Sequence, residues 1–261
     1  MITAASNSRI KRLVQLNQKS KLRRTEDVFL AEGVKMFLEA PREQLQEVYV
    51  SESFLEKCSC REHLEEVGYE VVSDSVFSKI SDICTPQGVL CVLKQFHYNI
   101  EEMLRDKAPL FLLLENIQDP GNLGTMLRTG EGAGVSGIIM SRDTVDLYNP
   151  KVIRSTMGSI YRVPFYYADD FAAAVHQVQQ TGVSVYAAHL RGKNSYACQD
   201  YTKGTAFLIG NEGNGLREET AELADCYIRI PMEGKVESLN AAVASSILMY
   251  EAHRQRATIE K

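Results

Sequence analysis

No apolar run in this 261-residue chain approaches the ~18 residues that a membrane-spanning helix needs. Leu110–Leu114 is among the longest. The N-terminus, MITAASNSRIKRL, lacks the apolar core of a secretory signal. Together these predict a cytoplasmic protein with no membrane partner. Cysteine is scarce: Cys58, Cys60, Cys84, Cys91, Cys198 and Cys226 are expected as free thiols, most of them among apolar neighbours, as in GVLCVL. Cys58-Ser59-Cys60 with His63 nearby is the one metal-like cluster, and it lacks a second ligand pair at zinc-site spacing, so no metal is expected. Internal repeats and low-complexity tracts are absent. So are a G-x-x-x-x-G-K-[ST] loop for phosphates and an H-E-x-x-H helix for zinc. Gly132-Ala133-Gly134-Val135-Ser136-Gly137 matches G-x-G-x-x-G only formally. It closes a helical stretch and precedes a strand, whereas the dinucleotide fingerprint follows a strand and opens a helix.

What is present is an ordinary globular composition, 44% hydrophobic and 24% charged. At roughly 100–200 residues per domain, the length suits one large domain or two modest ones. The net charge of −5 argues against nucleic acid, but its distribution does not. Residues 1–35 hold eight Lys/Arg against three acids, a surplus of five that leaves −10 for the remainder. A basic arm on an acidic body reads either as a footprint for phosphate or as a solvated helix face.

The first hundred residues mix short helices and strands. SRIKRLVQL sets Ile10, Leu13, Val14 and Leu16 near helical spacing. VFLAEG, QEVYVS, YEVVS and GVLCVLK read as strands and VKMFLEA as a helix. FHYNIEEMLRDKAP is polar and closes on Pro109. This predicts a smaller α/β domain over 1–98, a linker over 99–108 and a second domain over 109–261.

From Leu110 the pattern alternates regularly. LFLLLE, GIIMS, VPFYY, VSVYAAHL, TAFLIG and CYIRIP read as strands. NLGTMLRTGEGAG reads as a helix beginning at Asn122, a good capping residue. NPKVIRSTMGSI, DDFAAAVHQVQQTG and SLNAAVASSILMYEAHRQR are further helices. Strands alternating with helices imply a parallel sheet covered on both faces, with ligands bound outside the carboxyl ends of its strands. Three loops rich in Gly, Asn, Glu or Ser fall at that edge: ENIQDPGN, NEGNG and MEGKVESLN. Turns favour these residues anyway. Three such loops converging on one edge nevertheless favour a binding site.

These loops and their flanks resemble the SpoU (TrmH) branch of the SPOUT RNA methyltransferases. The first motif stands as Asn122-Leu-Gly124-Thr-Met-Leu-Arg128-Thr-Gly-Glu131, the second as Leu208-Ile-Gly210-Asn211-Glu212-Gly213-Asn-Gly215-Leu216. The third is Ile230-Pro231-Met232 followed by Glu237-Ser238-Leu239-Asn240-Ala-Ala. SNSRIKRLVQL and FLAEGVKMFLEA resemble, more loosely, the family's ribosomal-protein-like substrate-binding domain.

The resemblance implies a trefoil-knotted α/β methyltransferase domain and a homodimer whose pocket uses both chains. It implies methyl transfer from S-adenosyl-L-methionine to a ribose 2′-hydroxyl of RNA. Ribosomal RNA is the favoured substrate. A transfer RNA enzyme and a catalytically inactive RNA-binding protein are the alternatives, and a small-molecule enzyme using a nucleotide cofactor is a more distant rival. The catalytic candidates by resemblance are Arg128, Asn122, Glu212, Ser238 and Asn240. Arg128 either helps remove the 2′-proton or clamps the adjacent phosphate; a permanently protonated guanidinium suits the second role better. Ser238 is also a plausible helix cap, and Glu212 could orient Asn122 or Arg128. Gly210, Ile230, Met232 and Leu239 match cofactor positions. Arg9, Lys11, Arg12, Lys21, Arg23 and Arg24 are the expected RNA contacts.

Overall fold

Strands buried on both faces must be apolar throughout, and the longest apolar runs of the chain become the centre of a parallel sheet. The computed structural model describes residues 1–258; residues 259–261, the end of the expected second domain, lie outside the described residues. The chain forms two compact units. One comprises residues 1–96 and 146–161, the other 97–145 and 162–258.

In the first unit the strands are β1 (Val28–Glu32), β2 (Leu45–Ser51), β3 (Glu70–Val72) and β4 (Val89–Lys94). They form one sheet in the order β1-β4-β2-β3, with only β2 and β3 parallel. Asn7 caps helix Ser8–Gln18 by accepting the Arg9 N–H. That helix buries Ile10, Leu13 and Leu16, as their spacing predicts, against Tyr49, Phe77, Leu90 and Val92. Each such side chain contributes roughly 1.5–3 kcal/mol.

The segment Asp146–Tyr161, expected within the second domain, belongs to this unit. Pro150 opens its helix, Pro150–Thr156, which packs on β1 and buries Val152 and Ile153. Tyr148 Oη accepts from the Phe96 N–H (2.7 Å) and donates to the Phe96 carbonyl (3.0 Å), and Tyr161 Oη donates to the Met36 carbonyl (3.0 Å). Arg23 completes the attachment. Its guanidinium donates to Asp146 (2.6 Å) and to the carbonyls of Leu16 (2.6 Å) and Asn17 (3.2 Å). Arg23 is 2% exposed, which corrects its assignment as an RNA contact: this cation is spent inside the fold.

The second unit holds β5 (Leu110–Leu114), β6 (Gly137–Ser141), β7 (Phe165–Ala168), β8 (Ser184–Ala188), β9 (Asn194–Ser195), β10 (Thr205–Ile209) and β11 (Cys226–Arg229). Their order is β7-β6-β5-β10-β8-β11-β9, and every pairing is parallel. All carboxyl ends therefore lie along one edge. Central β5 is fully buried. The stretch expected to be a linker carries helix Ile100–Met103, whose Ile100 and Met103 enter this unit's core. Helix Pro120–Ala133 packs on the final helix, Ala241–Ala257, where Gly130 and Gly132 leave room for Met249 and Tyr250. No helix among the described residues is long and apolar enough to cross a membrane.

Asp146→Ala strands the buried Arg23 charge. Breaking a buried ion pair costs about 3–5 kcal/mol, and partial solvation of Asp146 puts this one at the lower end. Urea unfolding of the variant should show a loss of about 3 kcal/mol; a loss under about 1 kcal/mol, the range of a surface pair, would show that this bridge does not hold the segment.

Candidate functional site

Three loops leave the carboxyl ends of β5, β10 and β11, and one chain of hydrogen bonds joins them. Glu212, after β10, accepts from the backbone N–H groups of Gln118 (3.1 Å) and Asp119 (3.0 Å) and from Asn122 Nδ2 (3.0 Å). Asn240, after β11, donates through Nδ2 to Asn122 Oδ1 (2.9 Å). Its own Oδ1 accepts from the N–H groups of Ala242 (2.9 Å) and Val243 (3.2 Å), which makes it the cap of the final helix. Asn122, Glu212 and Asn240 are thus brought together as their motifs predict.

Two expected caps are corrected. Helix Pro120–Ala133 starts two residues before Asn122, and its cap is Asp119, which accepts the Asn122 N–H at 2.8 Å. Pro120 occupies the first turn, where a missing N–H costs nothing. Ser238 is exposed and does not cap the final helix; Asn240 does.

Burial of the Glu212 carboxyl opposes ionisation, but the hydrogen bonds from Asn122, Asp119 and Gln118 outweigh it and hold the pKa below the ordinary glutamate value. A depressed carboxylate is a poor general base. The site uses Glu212 as a fixed anion that orients Asn122.

Beside this chain lies a cleft of about 270 Å³. Gly210, Ile230, Met232 and Leu239 line it, together with Glu212 and Ser238. Gly210 stands where the loop folds back on itself. A Cβ there would stand 2.2 Å from the Gly215 carbonyl carbon and the Leu216 nitrogen, so only glycine fits. Asn211 and Gly215 close the loop by exchanging both backbone hydrogen bonds, at 3.0 and 2.9 Å.

Sequence reasoning missed the loop after β8, where His189 and Leu190 line the same cleft. The signal was available, since VSVYAAHL ends at the same sheet edge. Burial first, and then the neighbouring Arg191 charge, keep the His189 pKa below its usual value. Its Nδ1 accepts the Arg191 N–H (3.1 Å), which leaves Nε2 to carry the proton of the neutral ring.

Arg128 stands apart from the cleft lining. It projects from the exposed face of its helix, and among the described residues it has no hydrogen bond or ion pair. Of the expected RNA contacts in the first unit, Lys11, Lys21 and Arg24 are exposed and likewise without ion partners. Arg9 pairs with Glu70 at 2.7 Å, and Arg12 with Glu26 and Glu47 at 2.6 and 2.7 Å. No cluster of three His, Cys, Asp or Glu able to hold a metal occurs among the described residues, Cys58, Cys60 and His63 included.

Comparison with known proteins decides the family. Residues 109–250 match the SpoU rRNA Methylase family, and residues 7–91 match the MRM3-like substrate binding domain. The chain belongs to the SpoU rRNA methylase family. It is 32% identical over 252 residues to the 23S rRNA (guanosine(2553)-2′-O)-methyltransferase RlmP of Bacillus subtilis, covering 95% of this chain and 97% of that one. It is 32% identical over 222 residues to the 23S rRNA (guanosine-2′-O-)-methyltransferase RlmB of Bordetella pertussis, covering 82% and 91%. Among solved structures, the AdoMet-bound rRNA methyltransferase from Sinorhizobium meliloti superposes with a TM-score of 0.83 at 30% identity, covering 97% of both chains. SpoU membership and the parallel α/β architecture expected from the motifs are therefore established.

Because the folded-state pKa of Glu212 is depressed, its contribution to stability is complete above the unfolded-state pKa and disappears as pH falls through the folded value. An NMR titration following the Asn122 side-chain amide should give a midpoint below the ordinary glutamate range. A midpoint at or above that range would mean that the carboxylate is not held by these donors.

Proposed function

We propose that this SpoU protein transfers a methyl group from S-adenosyl-L-methionine to a ribose 2′-hydroxyl of ribosomal RNA. The observation that carries this reading is the Glu212–Asn122–Asn240 chain standing beside the cleft lined by Gly210, Ile230, Met232 and Leu239. The residues present fit the cofactor. Ile230, Met232 and Leu239 offer apolar walls to a flat nucleoside, and backbone groups of the loop supply hydrogen bonds.

When bound, the cofactor supplies an electrophilic sulfonium methyl with its own leaving group, so the reaction as proposed calls on no metal ion. The protein's task is to position the hydroxyl and assist loss of its proton. Among the described residues Arg128 has no carboxylate partner, so its guanidinium is available for an RNA phosphate. There it holds the ribose in place and stabilises the developing alkoxide. Asn122 and Asn240 set the motif geometry on which that placement depends, and the exposed Ser238 hydroxyl lines the cleft for substrate.

Of the six expected contacts, Lys11, Lys21 and Arg24 are left for phosphate, and recognition through them depends on RNA shape and salt. Residues 1–98 as the substrate-choosing part and 109–261 as the chemical part remain our reading of the division of labour. We place the protein in the cytoplasm with its RNA.

A homodimer belongs to the same proposal. Val243, Ile247 and Tyr250 form an outward stripe at i, i+4 and i+7 on the final helix, and Val243 and Tyr250 are 48% and 49% exposed. That face lies beside the Asn240 cap, where a second copy would cover apolar surface and border the site.

Purified protein incubated with methyl-labelled S-adenosylmethionine and unmodified ribosomal or transfer RNA transcripts tests the reaction. Ribose label in ribosomal RNA, reduced at least about a hundredfold by Arg128→Ala, is the expected result. Label in transfer RNA would transfer the assignment to that substrate. Cofactor binding without turnover on RNA or on immature ribosomal particles would mark a binding protein. Light scattering should report a dimer, and Val243→Glu with Tyr250→Glu should yield a monomer with little activity. A fully active monomer would end the shared-site reading.

A further inference from the structure

We propose that Glu115 is the positioning residue of the cofactor cleft, gripping the 210–216 loop at both of its ends. The inference rests on the reading of that cleft as the cofactor's. Glu115 ends β5 immediately after five apolar residues and is 1% exposed. A carboxylate so placed demands full compensation, and an apolar residue continuing the strand would avoid the demand.

Glu115 receives its hydrogen bonds from one short segment. It accepts the Arg217 backbone N–H at 2.8 Å, the Thr220 hydroxyl, and the Arg217 guanidinium at 3.4 Å. Its own backbone N–H donates to the Ile209 carbonyl at 2.9 Å. Ile209 directly precedes the loop and Arg217 directly follows it. One residue therefore fixes both feet of a loop whose interior is already closed by the Asn211–Gly215 bridge.

Fixing the feet fixes the function-bearing parts between them. Gly210 has no slack, because its backbone lies against Gly215 and Leu216. Glu212 meets Asn122 only while the loop keeps its height above β5. The second arm of Arg217 reaches the Asp143 carboxylate after β6. Asp143 in turn holds the Ser141 hydroxyl at 2.5 Å, and Ser141 Oγ accepts the Asn116 N–H at 2.8 Å. The network returns to the residue after Glu115, so the loop is held against two neighbouring strand ends.

Glu115→Gln keeps the side chain's shape, removes its charge, and sets an NH2 against donors. Thr220→Val removes a single anchor and is the milder variant should Glu115→Gln fail to fold. Three readouts are taken on the full-length protein: amide hydrogen exchange at Asn211 and Gly215, affinity for S-adenosylhomocysteine by calorimetry, and the urea unfolding midpoint. Exchange at the two loop amides should quicken, and affinity weaken, by at least about tenfold in the folded variants. KM for the cofactor should rise in step with the weakened affinity. Unchanged exchange and affinity would overturn the proposal. So would changes that merely follow the unfolding midpoint across all amides. If the wild type does not bind S-adenosylhomocysteine, the cofactor reading fails, and loop exchange alone still decides whether Glu115 holds the loop.

Discussion

The amide of Asn122 is the joint on which the candidate site depends, and its orientation is dictated from both ends. At one end the helix Ala241–Ala257 presents free N–H groups that only an oxygen can cap, so Asn240 must turn Oδ1 inward and Nδ2 outward. Asn122 must then meet that donor with Oδ1, which leaves its own Nδ2 facing Glu212. At the other end Glu212 is surrounded by donors and therefore stands as an anion. A helix terminus and a carboxylate thus polarise one side-chain amide between them. Three loops, whose joined residues span 118 positions of chain from Asn122 to Asn240, acquire a single relative placement. Reversing any member would set donor against donor, so the arrangement has no equal alternative.

The same economy governs charge in the first unit. Its basic stretch forms a surplus in the sequence, yet the fold divides it into cations that build structure and cations that remain available. Arg23 is buried and bound to Asp146, and Arg12 lies between Glu26 and Glu47. Lys11, Lys21 and Arg24 keep their charge on the surface. A local count of Lys and Arg therefore overstates the field presented to RNA. The multidentate positions, at Arg12 and Arg23, go to guanidinium groups, whose planar donor forks suit several acceptors at once.

Much of this was readable in advance, and the limits of the reading are physical. Period and strand length identified the parallel sheet because residues buried on both faces admit little besides Val, Ile, Leu, Phe and Ala. The three loops could be placed together because every parallel strand ends at the same edge. Asn122, Glu212 and Asn240 came from motif resemblance, and their hydrogen bonds follow from the fold. Arg23 could not be distinguished from Arg24, because helical spacing does not reveal which of two adjacent cations finds a carboxylate 123 residues away. The placement of Asp146–Tyr161 was equally hidden: its apolar residues signal burial but not against which core. The cap at Asp119 is legible in the sequence, since Asp-Pro is a helix-start signal, and Asn122 three residues later is a capping residue type spent on the motif chain instead.

The depressed carboxylate also constrains the chemistry that the site can perform. Among the ionisable groups lining the cleft are Glu212, Glu237, Arg229 and His189. Glu212 gives its lone pairs to four donors, one of them Asn211 at 3.4 Å, and its low pKa makes it reluctant to take a proton from a hydroxyl. His189 is kept neutral, and its Nδ1 is occupied by the Arg191 N–H. Neither group is poised to act as a strong base. In the proposed reaction, help for a weakly acidic hydroxyl would then come from stabilising the oxygen as its charge develops, which the Arg128 guanidinium can supply without changing its own protonation. The donors gathered on Glu212 and, among the described residues, the absence of ion partners at Arg128 are two halves of the proposed division: the anion is fixed where geometry is held, and the cation is left where charge is to be met.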